Sequence, residues 1–134
     1  MVRATPFLLV LFLALGLTFP HLQCILGGTW QNNLGSNMTI TTMDENGDFF
    51  GTYNTSVSAS QQKVLPSLML GSQRLPIKEK DITFGFTVHW TFSDSISVFT
   101  GQCFVDEEGK EVLKTMWLLR SRVEGIKNDW KATT

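Results

Sequence analysis

From Phe84 to Phe92 every even position is apolar: Phe84, Phe86, Val88, Trp90 and Phe92. Thr83, Gly85, Thr87, His89 and Thr91 occupy the odd positions. A period of two marks a strand with one face turned to a core. Similar runs fall over 25–32, 36–43, 48–57, 62–70, 82–92, 96–104 and 111–120. They recur at roughly ten-residue intervals, the spacing of a β-barrel or sandwich. Asn46-Gly47 is a hairpin dipeptide, and Asp106–Lys110 reads as another turn. Only 122–130, ending in Asn128-Asp129-Trp130, predicts a turn or short helix.

The parities assign faces. With Trp30 inward, Asn32, Leu34 and Ser36 follow it, and Met38 and Ile40 continue that face. On the third run Phe49, Gly51, Tyr53, Thr55 and Val57 share a face. Asn37 and Asn54 then point outward. Each heads an N-glycosylation sequon, Asn37-Met38-Thr39 and Asn54-Thr55-Ser56. The inner face gathers Asn32, Ser36, Tyr53 and Thr55 beside Trp30, Trp90, Phe92, Phe99 and Trp117. A buried polar group without a partner costs roughly 1–3 kcal/mol. These groups therefore either satisfy one another and water, or meet a small polar-headed ligand inside a barrel. On the seventh run Leu113, Thr115, Trp117 and Leu119 share one face, while Val112, Met116 and Leu118 share the other. A strand apolar on both sides calls for cover on both, and a second subunit is the natural outer cover.

The first residues follow another logic. Arg3 precedes Phe7–Phe19, an uncharged apolar run. It is too short to span about 30 Å of hydrocarbon as a helix and reads as a secretory signal peptide over 1–23, cleaved within 18–23. No later segment is apolar enough for a transmembrane helix, so no membrane attachment is expected after cleavage. The remaining 24–134 suits one domain. Eleven Lys and Arg against twelve Asp and Glu give a charge of −1, and losing Arg3 makes it −2. That balance argues against nucleic acid as a partner. Secretion would place Cys24 and Cys103 in an oxidising compartment, where a disulfide forms. It would close a loop of about 80 residues, worth roughly 4 kcal/mol in the chain-entropy view.

Catalytic chemistry finds little support. His21 lies in or beside the leader, and His89 has the opposite parity to Trp90, which leaves no Ser-His-Asp or Cys-His pair. Asp44–Asp48 lacks the ligand spacing and terminal Glu of a calcium loop. No zinc spacing and no phosphate-binding glycine loop occurs. The expectation is a protein that is not an enzyme and holds neither metal nor cofactor.

Several segments resemble the avidin and streptavidin family. Cys24-Ile25-Leu26-Gly27-Gly28-Thr29-Trp30-Gln31-Asn32-Asn33-Leu34-Gly35-Ser36-Asn37-Met38-Thr39-Ile40 is similar to its opening, and Phe50-Gly51-Thr52-Tyr53 to its third strand. Thr83–Trp90, Val98–Cys103 and Lys110–Arg120 follow the family pattern as well. The resemblance covers nearly all of 24–133 and is weakest at 61–82. It implies an all-β fold, an antiparallel up-and-down barrel of eight strands, with about seven encoded here. It further implies a secreted, extracellular protein that sequesters biotin, taken as ligand rather than cofactor, and that assembles as a homotetramer.

Residue by residue, the resemblance implies that Asn32, Ser36 and Tyr53 donate to the ureido oxygen of biotin and that Thr55 accepts from a ureido N–H. Trp90, Phe99 and Trp117, with Phe92 beside them, would wall the bicyclic ring; Leu34, Val57 and Leu119 belong to the same lining. Ser97 would approach the ring sulfur. Ala59, Ser60, Ser93 and Ser95 would surround the carboxylate end; Ser58 also belongs to the binding set, and Ser58 and Ser60 stand where avidin has threonine. Trp130 would cap the site of a neighbouring subunit. The family continues beyond Lys131-Ala132-Thr133-Thr134 into an eighth strand. Without it, the expectation is a truncated, unclosed barrel with open first and seventh edges, less stable, more prone to aggregate and a weaker biotin binder than a complete relative, with weak or no biotin binding as the alternative. A strand from another chain could close it instead. A lipocalin-like carrier of another small ligand is the alternative function, although it would not need the polar cluster.

Overall fold

Alternation in the sequence becomes a pleat in the fold. The computed structural model describes residues 24–55, 65–74 and 82–134. Seven strands form one sheet in chain order: β1 (Gly28–Gln31), β2 (Asn37–Met43), β3 (Asp48–Asn54), β4 (Ser67–Gln73), β5 (Ile82–His89), β6 (Ile96–Val105) and β7 (Glu111–Arg120). Every neighbouring pair is antiparallel, as the up-and-down expectation requires. On β3 Phe49, Gly51 and Tyr53 are buried, and on β5 Ile82, Phe84, Phe86 and Val88. Trp30, Met38, Met69 and Leu113 complete an almost water-free interior. After β7 a 3₁₀ turn, Ile126–Lys131, fills the region expected to be a turn or short helix.

Four strand boundaries differ from expectation. The third run is expected over 48–57, but β3 ends at Asn54 and Thr55 is already outside the sheet; positions 56 and 57 lie outside the described residues. The sequence predicts the fourth run over 62–70, but β4 is Ser67–Gln73; positions 62–64 lie outside the described residues. Ser67-Leu68-Met69-Leu70 is apolar on both parities, so its alternation could not set an end point. Gly71 shows what sets the register. A Cβ there would come within 2.6 Å of both the Phe49 ring and Phe86 Cβ. The missing side chain lets those two rings meet edge to face at 6.5 Å. The first run is expected over 25–32, yet β1 starts at Gly28, and Cys24–Gly27 leaves the sheet. The fifth, expected to reach Phe92, stops at His89.

Cys24 is bonded to Cys103, as expected from an isolated pair, and the two Cα atoms lie 5.9 Å apart. Cys103 sits on β6, and in a flat sheet five strand spacings would put β1 and β6 about 24 Å apart. The sheet must therefore curl, and Cys24–Gly27 spans the gap. Ile25 N–H donates to Glu111 Oε2 of β7 at 2.9 Å. Trp30 Nε1 donates back to the Leu26 carbonyl at 2.8 Å, which satisfies the one polar atom of a fully buried indole. The Cys24→Ser, Cys103→Ser double variant should lose about 4 kcal/mol of stability by the loop-entropy estimate. Thermal unfolding followed by circular dichroism tests this; an unshifted midpoint would deny the disulfide any stabilising role.

The edges need one correction. β1 and β7 flank the sheet, and no ladder joins them among the described residues. The end of β7 is nevertheless covered rather than open. Arg120 pairs antiparallel with Thr133. Leu119 N–H donates to the Thr134 carbonyl at 2.7 Å, and Ser121 N–H to the Ala132 carbonyl at 2.8 Å. Residues 132–134 thus cover the end of β7 through one isolated bridge. On the outer face Met116 is 76% exposed and Leu118 is exposed with it, while Val112 is half-buried.

Candidate functional site

Three hairpins are built alike. In each, the Oδ1 of an Asn or Asp accepts the backbone N–H groups two and four residues on. Asn32 accepts from Leu34 and Ser36, both at 3.0 Å. Asp44 accepts from Asn46 and Asp48, both at 2.9 Å. Asp106 accepts from Glu108 at 2.9 Å and Lys110 at 2.8 Å. The fourth residue of each turn is a glycine with positive φ: Gly35 at 89°, Gly47 at 89° and Gly109 at 80°. Only glycine takes that conformation without strain. Asn32–Ser36 is thus a turn and not the continuous strand face expected from parity. Leu34, expected inward, is 72% exposed at its tip.

The choice of Asn at the first turn has a chemical consequence. The backbone occupies the Oδ1 of residue 32 just as it does at Asp44 and Asp106. An aspartate would then offer a second, anionic acceptor. Asn32 offers an NH₂ donor in its place.

Aromatic rings form the opposite part of the site. Phe86 stacks on Phe99 at 4.6 Å, and Phe99 stacks on Trp117 at 5.8 Å. Tyr53 stacks on Phe99 at 5.8 Å and meets Trp90 edge-on at 5.4 Å. Trp90 is fixed at its polar end, where Nε1 donates to Ser97 Oγ at 2.9 Å. The Ser97 hydroxyl, itself buried, keeps its proton to donate elsewhere. Burial pushes the Tyr53 phenol above its ordinary pKa of 10.0, so it remains an O–H donor through and beyond neutral pH.

These groups line a cavity of about 690 Å³. It brings together Asn32, Leu34, Ser36, Tyr53, Thr55, Trp90, Phe92, Ser93, Ser95, Ser97, Phe99, Trp117 and Leu119, all expected from the sequence. Asn33 and Thr115 join them unforeseen. Thr115 has the parity of Trp117 and could have been found; Asn33 belongs to the turn that the parity reading missed. No Lys, Arg, His, Asp or Glu lines the cavity among the described residues. Val57, Ser58, Ala59 and Ser60 lie outside them. Trp130 is 83% exposed on the 3₁₀ turn and does not line this chain's own cavity. Trp117 has the expected inward parity but is 60% exposed beside the unpaired edge. Phe92, just past the end of β5, is 41% exposed.

Both sequence and fold have close counterparts. The model of the Avidin family matches residues 20–134. Avidin of Gallus gallus is 55% identical over 99% of this chain and 90% of its own. The X-ray structure of a biotin binding protein from chicken is 51% identical, with a TM-score of 0.79 over 84% of this chain and 93% of that one. The crystal structure of Xenavidin is 50% identical, with a TM-score of 0.78 over 84% and 92%. No helix among the described residues is long and apolar enough to cross a membrane. With sequence and fold both matching these relatives over most of their length, the chain belongs to the avidin family.

Proposed function

We propose that this chain is a secreted, non-enzymatic protein that sequesters biotin in the cavity. One observation carries the reading: a neutral cavity holds an amide donor at Asn32 and the hydroxyls of Ser36, Tyr53 and Thr55, with Trp90, Phe99 and Trp117 supplying apolar walls. The ureido oxygen of biotin accepts from Asn32, Ser36 and Tyr53, and Thr55 accepts from a ureido N–H. Several donors on one oxygen polarise it, as an oxyanion hole does, but here without a reaction. The fused ring lies against the aromatic walls, and the Ser97 hydroxyl faces its sulfur. The carboxylate stays toward the mouth with Ser93 and Ser95, and with Ser58, Ala59 and Ser60 on the adjoining segment. That placement spares a cavity with no cation among its described residues the cost of burying an anion.

The same reading includes assembly as a homotetramer. Exposed Met116 and Leu118 gain cover by it, and Trp130 caps the cavity of a neighbour. Residues 1–23 act as the leader, and Asn37 and Asn54 as glycan acceptors. Titration calorimetry with biotin tests the function, with saturation at one biotin per chain as the expected result. Absence of heat and of competition with a labelled biotin would reject it, and binding of an unrelated apolar ligand in its place would point to the carrier alternative.

Tyr53→Phe should weaken binding by roughly 1–3 kcal/mol, the cost of one lost donor in a dry site. The wild-type dissociation rate should stay flat across neutral and mildly alkaline pH, because burial raises the phenol pKa and keeps the donor protonated there. Above that range the rate should climb in wild type and not in the variant. Stopped-flow displacement across pH separates the two; parallel profiles would remove Tyr53 from the donor set.

A further inference from the structure

Two walls of the cavity stand beyond the end of a strand. The ladders of β5 end at His89, and β6 begins at Ile96, yet Trp90 and Phe92 between them both line the cavity. Their rings meet at 5.6 Å. What holds the chain between the two rings lies on β4. Ser67 is fully buried and stands opposite Tyr53 of β3. Its Oγ accepts the Thr91 N–H at 3.1 Å. Thr91 Oγ1 donates to the Leu65 carbonyl at 3.2 Å and lies 3.5 Å from Ser67 Oγ. Thr91 gives its one hydroxyl proton to Leu65, so the proton between the two side-chain oxygens comes from Ser67.

We propose that Ser67 and Thr91, neither of which lines the cavity, are positioning residues for the ligand. Their hydroxyls hold the turn after β5 so that the Trp90 and Phe92 rings stand as walls before biotin arrives. The inference rests on the reading of the cavity as a biotin site.

Each hydroxyl has its own task. Ser67 Oγ takes an N–H that the end of the ladder leaves without a strand partner, and a methyl in its place would strand that N–H against a buried side chain. A fully buried serine that only filled space would serve as well as alanine; both of its side-chain bonds go to Thr91. Thr91 Oγ1 ties the same turn to Leu65, so the turn is held at two points and cannot pivot about one. The indole of Trp90 is held from the other side, where Nε1 donates to Ser97 Oγ of β6 and the Tyr53 ring meets it edge-on at 5.4 Å. With backbone and ring end both fixed, the indole keeps one orientation. Phe92 follows Thr91 directly, so its ring goes where the turn goes. Walls ordered in advance lose less freedom when the ligand binds, which slows its release.

The test follows release of biotin by displacement with labelled biotin. Alongside it, ¹⁹F spectra are taken of protein carrying 5-fluorotryptophan, in which the Trp90 line is the one missing from Trp90→Phe. Ser67→Ala should release biotin about tenfold to a hundredfold faster, the size of one lost buried bond. Its Trp90 line should broaden without ligand and sharpen with it, while the other tryptophan lines keep their widths. Thr91→Val should also release faster, and Thr91→Ser should return to the wild-type rate. Ser72→Ala removes a different hydroxyl bond of β4, to Asp48 near the other end of the strand, and should change neither readout. Either a wild-type release rate or an unmoved Trp90 line in Ser67→Ala would overturn the proposal and leave biotin binding intact. So would broadening of all tryptophan lines together, the mark of general loosening. Should Ser67→Ala not fold, Thr91→Val, at an exposed position, carries the test, and release as slow as in wild type overturns the proposal. Wild type that binds no biotin would instead reject the functional reading, and the proposal with it.

Discussion

Asn32→Asp should cost about a thousandfold in biotin affinity while leaving the protein folded, since a charge set in a dry site without a partner costs roughly 3–5 kcal/mol. The turn itself should not register the change. Asp44 and Asp106 already perform the same task, each taking two backbone N–H groups on one oxygen. The second oxygen is what differs. In the variant an anionic acceptor would face the ureido oxygen, where Asn32 presents a donor. The sign of the pH effect makes the prediction sharp. Protonating the introduced carboxylate restores an O–H donor and removes the charge, so affinity in the variant should recover as pH falls. Wild type has no such group and should not follow. Unfolding midpoints and dissociation constants measured together across pH check both halves; affinity lost equally at all pH values would deny the donor role.

Trp117→Ala should separate binding from stability in another way. Its indole stacks on Phe99 at 5.8 Å but is 60% exposed. Truncation therefore removes little buried area from the chain, and the unfolding midpoint should move slightly. In the complex the same indole is a wall against the fused ring. Anchoring tryptophans of this kind carry about 2–4 kcal/mol, so affinity should drop by roughly thirtyfold to nearly a thousandfold, mostly as faster release. Surface-immobilised biotin with competitor in the wash phase reads the release directly. If the midpoint falls sharply and release is unchanged, Trp117 belongs to the core and not to the site.

Much of this was legible in one dimension. Phe84 to Val88 and Phe49 to Tyr53 alternate cleanly, because one face of each strand is wet and the other dry. The polar members Asn32, Ser36, Tyr53 and Thr55 stood out against that dry face. The errors arose where a distant contact decides a local end. β5 stops at His89 because Thr91 N–H turns to Ser67 Oγ at 3.1 Å, and Thr91 Oγ1 donates to the Leu65 carbonyl at 3.2 Å. Nothing near Thr91 announces a partner 24 positions earlier. The turn at Asn32–Ser36 was missed for a different reason. Its Asx-x-x-Gly spacing repeats that of Asp44–Gly47 and Asp106–Gly109, but apolar parity happened to run through it undisturbed. The exposure of Trp117 depends on what lies beyond β7, which alternation within β7 does not encode.

The order of the ladders also bears on how such a chain becomes structured. Every strand pairs with its neighbour in sequence. Each hairpin's contacts are thus available as soon as its second strand has been synthesised, and the loop to be closed is short. Cys24 is the exception. It waits for Cys103, which lies 79 positions later. The sheet can grow by successive addition while the residues before β1 remain untethered, and the curl is locked only after Cys103 has been synthesised. Until then neither the edge of β1 nor the stretch before it is held in place, so the interval before Cys103 emerges is when this fold is most open to pairing with the wrong partner.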